Sequence, residues 1–407
     1  MSIFDPKVWR AYEKEELIDF LSKKEKINSE NKNEFEISRN ILRIQSAISP
    51  FDIYTYLKAR FGYPNGIQTM LANDSSYNMF HWDYYLDSGD GLIMLCGSTQ
   101  EFHVMHSRDL TDSEWHNFIN CLKQDFGRVG REKSDVLNKL EKWTIFTNSY
   151  LSLANRCSEL YHKLSENFQA LEEDISKEGF RFGDSEFVRH QNIRREWMDS
   201  LNEACIELPI LTPILFENFI GMVVAVLVKP EVKSNDRLYQ SFKRSNLDVK
   251  IFDLAMRCNG FDRAIDCNNK IMKKYWPIVD SRNDLVHGNV DPIKNSCGVV
   301  YFDGKIPLYQ KGGDRIIEFI RGIVDQYNPK KIIENYITAH EFMYEILLHM
   351  NEKSRFSIMA LMSDYQPGWD AKRSRFGILF PENLITFSFP GVRYDVDLEP
   401  LESAKDL

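Results

Sequence analysis

The 407-residue chain lacks the short motifs that announce the commonest nucleotide and acyl-transfer chemistries. It has no glycine-rich phosphate loop, no G-x-S-x-G nucleophile turn and no dinucleotide fingerprint, so no P-loop, serine-hydrolase or dehydrogenase class is indicated. Its seven cysteines (96, 121, 157, 205, 258, 267 and 297) never fall into CxxC spacing, so no zinc site is expected, and no other metal or cofactor either. An odd, scattered set of thiols fits the reducing cytoplasm. The opening residues MSIFDPKVWRAYEKEEL contain no apolar core, so neither a secretory signal nor a transit peptide is expected. Positive charge is outnumbered, with 51 basic residues against 60 acidic ones. A net charge of −9 argues against a surface coated in nucleic acid and confines any RNA contact to a local patch.

What is present suggests two domains or three with real apolar cores. Residues 6–24, 36–48 and 50–61 carry mixed apolar and charged patterns suited to short helices. Tyr77 to Leu86, Leu92 to Cys96 and Glu101 to His106 have strand character, with turn residues at Ser88-Gly89-Asp90-Gly91 and Gly97-Ser98, and predict a three-stranded meander. Thr111 to Phe126 is a predicted helix, and Lys133 to Lys177 a long charged helical stretch, continuous or broken once. The expected organisation is an α+β sensor or interaction domain over 1–130, a helical arm over 131–199, a helical bundle over 200–355 and an extension over 356–407.

Within the bundle, Leu208 to Val228 reads LPILTPILFENFIGMVVAVLV, with Glu217 as its only charge. Thr212-Pro213 is expected to be an N-cap and first-turn proline, and Lys229-Pro230 to close a helix about 25 Å long. The segment is apolar enough to raise a membrane span, but a central Glu217-Asn218 pair and two prolines favour a central bundle helix. A second helix ends in Arg282-Asn283-Asp284-Leu285-Val286-His287-Gly288, with Pro277 placed in its first turn and Gly288 as its left-handed stop. At 100° per residue Ile278, Val279, Leu285 and Val286 lie within about 60° of Arg282, so the arginine sits in the apolar stripe and needs a carboxylate. Glu217 is the candidate. His287 falls on the polar side with Asn283 and Asp280, near the negative end of the helix dipole, which favours its protonated form. A neighbouring histidine and arginine suit metal-free cleavage of RNA. The imidazole moves the 2′-hydroxyl proton and the guanidinium holds the phosphate.

An apolar helix with a central acid, followed 65 residues later by RN-x-x-x-HG, resembles the HEPN superfamily, marked by an Arg-polar-x-x-x-His motif. The resemblance covers residues 200–355. It implies a small helical bundle, commonly dimeric, and often a metal-independent ribonuclease of toxin–antitoxin, abortive-infection or CRISPR-associated antiviral defence. By that resemblance Arg282, Asn283 and His287 are the catalytic motif, and Glu217 is the acid that orients Arg282. RNA is the implied substrate, a second copy of the chain the implied partner, and an antitoxin or activating protein a further candidate. The alternative is a non-catalytic module of the same family that binds a nucleotide, RNA or a protein. There Glu217–Arg282 is only a core ion pair.

Other elements frame this core. Lys229 to Lys274 holds eleven basic and six acidic residues, a local +5 that could form a phosphate-holding rim or an ordinary solvated surface. Ile332 to Met350 is a predicted late bundle helix. Val299 to Phe302 with Ile306 to Tyr309 predicts an inserted hairpin, and Gly377 to Phe380 with Leu384 to Phe389 a second. His103 and His106, three apart on a strand, fall on opposite faces, as do His340 and His349 on their helix. His81-Trp82-Asp83 and the aromatic strand are expected to be ordinary sheet positions, and Asp395 to Glu399 a solvated tail.

Overall fold

The computed structural model describes residues 5–19, 43–45, 47–71, 80–89, 91–106, 110–176, 185–266, 268–288, 292–293, 299–310, 322, 324–325 and 327–380. The chain is mostly helical with small antiparallel sheets, as the composition of its segments predicts. It divides into two compact units, one built chiefly from Met1–Trp143 and the other from Thr144–Trp369.

The first unit is an antiparallel sheet backed by helices. Its strands are β1 (Arg10–Ala11), β2 (Arg43–Gln45), β3 (Trp82–Asp87), β4 (Leu92–Gly97) and β5 (Phe102–His106), in the order β1-β3-β4-β5-β2. The expected meander β3-β4-β5 is therefore its centre, and two edge strands extend it. These edge strands fall where helices were expected at 6–24 and 36–48. Among the described residues of the first segment, 14–19 are helical, after a short 3₁₀ turn at Pro6–Val8. Alternation puts Trp82, Tyr84 and Leu86 of β3, Ile93 and Leu95 of β4, and Phe102 and Val104 of β5 into one buried face. Helices α1 (Pro50–Phe61) and α3 (Asp112–Asp125) cover it with Ile53, Tyr56, Leu57, Trp115, Phe118 and Leu122. A five-residue helix, α2 (Ile67–Leu71), lies between α1 and β3. Thr111 and Glu114 close a reciprocal capping box at the start of α3.

The same unit buries a charged cluster around Asp125. Asp125, 6% exposed, accepts Tyr56 Oη at 2.5 Å and both Nε and Nη2 of Arg128 at 2.7 and 2.9 Å. Burial works to raise its pKa, but the hydrogen bonds from Arg128 and Tyr56 prevail and hold the carboxyl below the ordinary aspartate range.

The second unit starts where the helical arm was expected. After α4 (Gly130–Lys139), which lies in the first unit, the short strand β6 (Thr144–Ile145) interrupts the chain. Next come α5 (Ser149–Ser176) and α6 (Ser185–Leu227), which run antiparallel. Tyr150, Ala154, Cys157, Leu160 and Leu164 of α5 join Leu201, Ala204, Cys205, Leu208 and Leu215 of α6 in one core, so the arm over 131–199 does not stand apart from the bundle. Arg156 bridges to Glu203 and Glu207, and Lys163 to Glu203, along the solvent side of this pair.

Helix α6 also corrects the expected N-cap at Thr212. It runs 43 residues, with Pro209 and Pro213 both inside it. Thr212 is buried and donates its hydroxyl to Leu208 O at 2.7 Å, a bond made from within a helix. Packing on both sides holds together a helix that its prolines alone would break. The stretch Trp197–Leu227 is long and apolar enough to cross a membrane by composition. In this fold Phe216, Phe219, Ile220, Val223 and Val224 are core residues of the bundle.

The remaining helices are α7 (Pro230–Ser234), α8 (Asp236–Arg244), α9 (Leu247–Arg257), α10 (Lys270–His287), α11 (Pro329–Leu348) and α12 (Glu352–Ser363). Strands β7 (Tyr301–Asp303) and β8 (Ile306–Leu308) form the expected inserted hairpin, and both are exposed. Two further short strands are β9 (Gly368–Asp370), paired with β6, and β10 (Arg375–Gly377). The hairpin expected over 377–389 lies outside the described residues beyond position 380.

Two predictions follow from packing. A Cβ on Gly221, inside α6, would meet nothing within 4 Å. Gly221→Ala should therefore stabilise the bundle by about 0.5–1 kcal/mol, read as a higher melting temperature. A lowered carboxylate pKa gives stability that is full above the unfolded aspartate value near ~3.9 and is lost as pH falls through the lowered native value. Melting curves from acid to neutral pH should lose part of their acid limb in Asp125→Asn. At neutral pH that variant should be about 2–3 kcal/mol less stable.

Candidate functional site

Three aromatic side chains set the geometry around the motif. Phe216 of α6, Tyr275 of α10 and Phe342 of α11 are all fully buried. Ring centroids lie 4.5 Å apart for Phe216–Tyr275, 4.8 Å for Phe216–Phe342 and 5.3 Å for Tyr275–Phe342. The next residue after Phe216 is Glu217, and Arg282 stands two turns beyond Tyr275. Their side chains meet, with Arg282 Nη2 donating to Glu217 Oε1 at 2.7 Å. Arg282 Nε is buried without a hydrogen-bond partner among the described residues. Burial first, and the nearby Glu217 carboxylate second, push the Tyr275 phenol far up, so its hydroxyl stays neutral. That hydroxyl too has no hydrogen-bond partner among the described residues.

The pair is shallower than the sequence suggests. The Arg282 side chain is 22% exposed and that of Glu217 44%, so it is a rim pair over an aromatic base rather than a buried one. A loss of several kcal/mol on neutralising Glu217 is therefore not expected, and about 1 kcal/mol or less fits this exposure. The apolar stripe of α10 explains the depth. Ile278 is buried and Val279 packs on the core, but Leu285 and Val286 are 47% and 55% exposed. The core ends at Arg282, and the last turn projects past it.

That last turn carries Asn283 and His287, both exposed. Gly288 ends the helix at φ +64°, its N–H returning to Asp284 and Leu285 carbonyls, the left-handed stop its residue type predicts. The helix starts earlier than expected. Asn269 caps it, and Pro277 lies well inside rather than in the first turn.

Part of the charge near the pair comes from the basic stretch. Lys250 of α9 lies close enough to Glu217 for their charges to interact, and burial lowers its pKa. Other members have local duties. Lys229 Nζ bonds Met256 O, Lys233 bonds Ser374 O and covers Trp369, Lys243 covers Tyr239, and Arg257 pairs with Asp253 over Phe242. These four cations are thus engaged by their own neighbours. A cavity of about 660 Å³ opens beside Glu217, lined also by Ser149, Asn218, Gly221 and Lys250. Lys250 belongs to the basic stretch read from the sequence, but the cavity itself was not expected. The only hint was the small pair Gly221 and Ala225, one turn apart in a helix of bulky residues.

Among the described residues the other histidine and acidic groupings do not form a metal-binding cluster. His103 and His106 do fall on opposite faces of β5, and His103 Nε2 bonds Glu101. Asp83 is committed to Thr69 Oγ1 and the Gln68 and Thr69 amides. His81 contacts Thr99. His340 packs on Tyr336 and His349 bonds Glu345 O. Asp395 to Glu399 lie outside the described residues.

No family model matches the sequence, and comparison with curated proteins and with solved structures found no match. Function rests on the geometry and on the motif itself.

Removing a buried hydroxyl that has no partner should not harm the aromatic base. Tyr275→Phe is expected to leave stability unchanged or raise it by up to about 1 kcal/mol in thermal or denaturant unfolding. A loss above that would mean the hydroxyl is bonded in solution.

Proposed function

We propose that the second unit is a HEPN-type, metal-independent endoribonuclease of the toxin or antiviral-defence kind. The observation that carries this reading is the 2.7 Å contact of Arg282 with Glu217, on a helix that then presents Asn283 and His287 to solvent. An acid holding the motif arginine, with the motif histidine free at the helix end, is the arrangement this chemistry requires. Among the described contacts Glu217 takes only Nη2 of the guanidinium. The charge that remains is suited to an RNA phosphate.

The reaction needs a base, an acid and charge stabilisation. The 2′-oxygen attacks the adjacent phosphorus as one His287 side chain, acting as general base, takes its proton. The bond to the 5′-oxygen breaks as a protonated His287 side chain, acting as general acid, gives that oxygen a proton. The products are a 2′,3′-cyclic phosphate and a 5′-hydroxyl. Arg282 and Asn283 stabilise charge on the non-bridging oxygens, and Glu217 fixes the arginine. In this reading the exposed Leu285 and Val286 are covered by a second copy of the chain, which brings two His287 side chains to one groove. An antitoxin or an activating protein would control the activity.

The test is purified protein with total cellular RNA in EDTA, beside His287→Ala. The parent should give discrete fragments ending in cyclic phosphate. The exposed His287 should be replaceable without change in melting temperature, while cleavage falls at least about 100-fold. Intact RNA with both proteins would contradict the catalytic reading.

A further inference from the structure

The cavity beside Glu217 has the size of a small-molecule site. Its walls are of two kinds. Phe146 and Phe376, in an edge-to-face contact with centroids 5.7 Å apart, supply aromatic surface. Ser149, Asn218 and Lys250 supply hydrogen-bonding groups and a cation. Ser149 Oγ and Asn218 Oδ1 are already 3.1 Å apart, which joins α5 to α6 at the cavity edge. Neighbouring Asn148 holds this wall in place. It is buried and donates to the carbonyls of Leu361 and Asp364, both at 2.8 Å, while its Oδ1 accepts from the Leu151 amide. Gly221 keeps the floor open, since a side chain there would project into empty space.

We propose that this cavity binds a nucleotide-sized organic anion, its acidic group at Lys250 and its flat ring against Phe146 and Phe376, and that its occupancy is sensed by the Glu217–Arg282 pair. Recognition needs both halves of the ligand. An aromatic wall favours a ring, and a half-buried ammonium favours a compact anion. Coupling follows from Glu217, which lines the cavity and holds Arg282. An anion at Lys250 takes that cation away from Glu217 and leaves the carboxylate to the arginine. The binding claim stands without the ribonuclease reading; the regulatory claim rests on it.

The experiment is calorimetric titration of full-length His287→Ala with adenosine 5′-monophosphate, so that turnover of RNA plays no part. Binding with a dissociation constant below about 1 mM is expected, and adenosine or inorganic phosphate alone should bind at least about tenfold more weakly. Lys250→Ala and Gly221→Leu, each added to that protein, should each weaken the nucleotide at least about tenfold. Their melting temperatures confirm folding. The same chemistry occurs at the 5′-phosphorylated end of RNA. Displacement of the mononucleotide by a 5′-phosphorylated hexanucleotide would assign the cavity to RNA ends, and no displacement would assign it to free nucleotides. No binding of the mononucleotide, or binding that both substitutions leave unchanged, overturns the proposal. Binding as expected, with a parent protein that leaves total RNA intact, would retire the ribonuclease reading alone.

Discussion

The second unit depends on one packing constraint, the contact of Phe216, Tyr275 and Phe342. These rings come from three helices and are fully buried, so α6, α10 and α11 cannot slide past one another without opening a cavity. Loss of such a ring typically costs about 3–5 kcal/mol. Because Glu217 follows Phe216, and Arg282 follows Tyr275 by two turns, the fixed rings bring the two charges together at the edge of the core. The ion pair is a consequence of this packing rather than its cause. At its exposure it contributes little stability and much orientation.

Some of this was legible in the sequence because single residues carried the signal. Glu217 is a lone charge in an apolar helix and Arg282 a lone charge in an apolar stripe, and each needs a partner wherever the helices pack. Gly288 predicts a helix stop because a left-handed residue there is cheap only for glycine. The central meander was visible from its alternation and turns. Edge strands Arg10–Ala11 and Arg43–Gln45 were not, since two or three residues cannot display a period.

Other features were hidden because they arise from tertiary context. Pro209 and Pro213 argue locally for a helix start, yet α6 passes through both while packed along α5 and α11. The exposure of Leu285 and Val286 depends on where the core ends, which the period of a helix does not report. The cavity gathers Phe146, Gly221, Lys250 and Phe376 from four distant segments, so no local pattern marks it. Glu217 thereby acquires two neighbours of opposite duty, an arginine on the motif helix and a lysine across the cavity. This shared carboxylate joins the proposed chemistry to its proposed control.

The most direct measurement is a double-mutant cycle on Glu217→Gln and Arg282→Gln, read by denaturant unfolding. Side chains that meet as described should be coupled by about 0.5–1 kcal/mol, with the double variant less destabilised than the sum of the singles. Strict additivity would contradict the account, because the two side chains would then not touch in solution and the aromatic contact would not be setting the motif arginine.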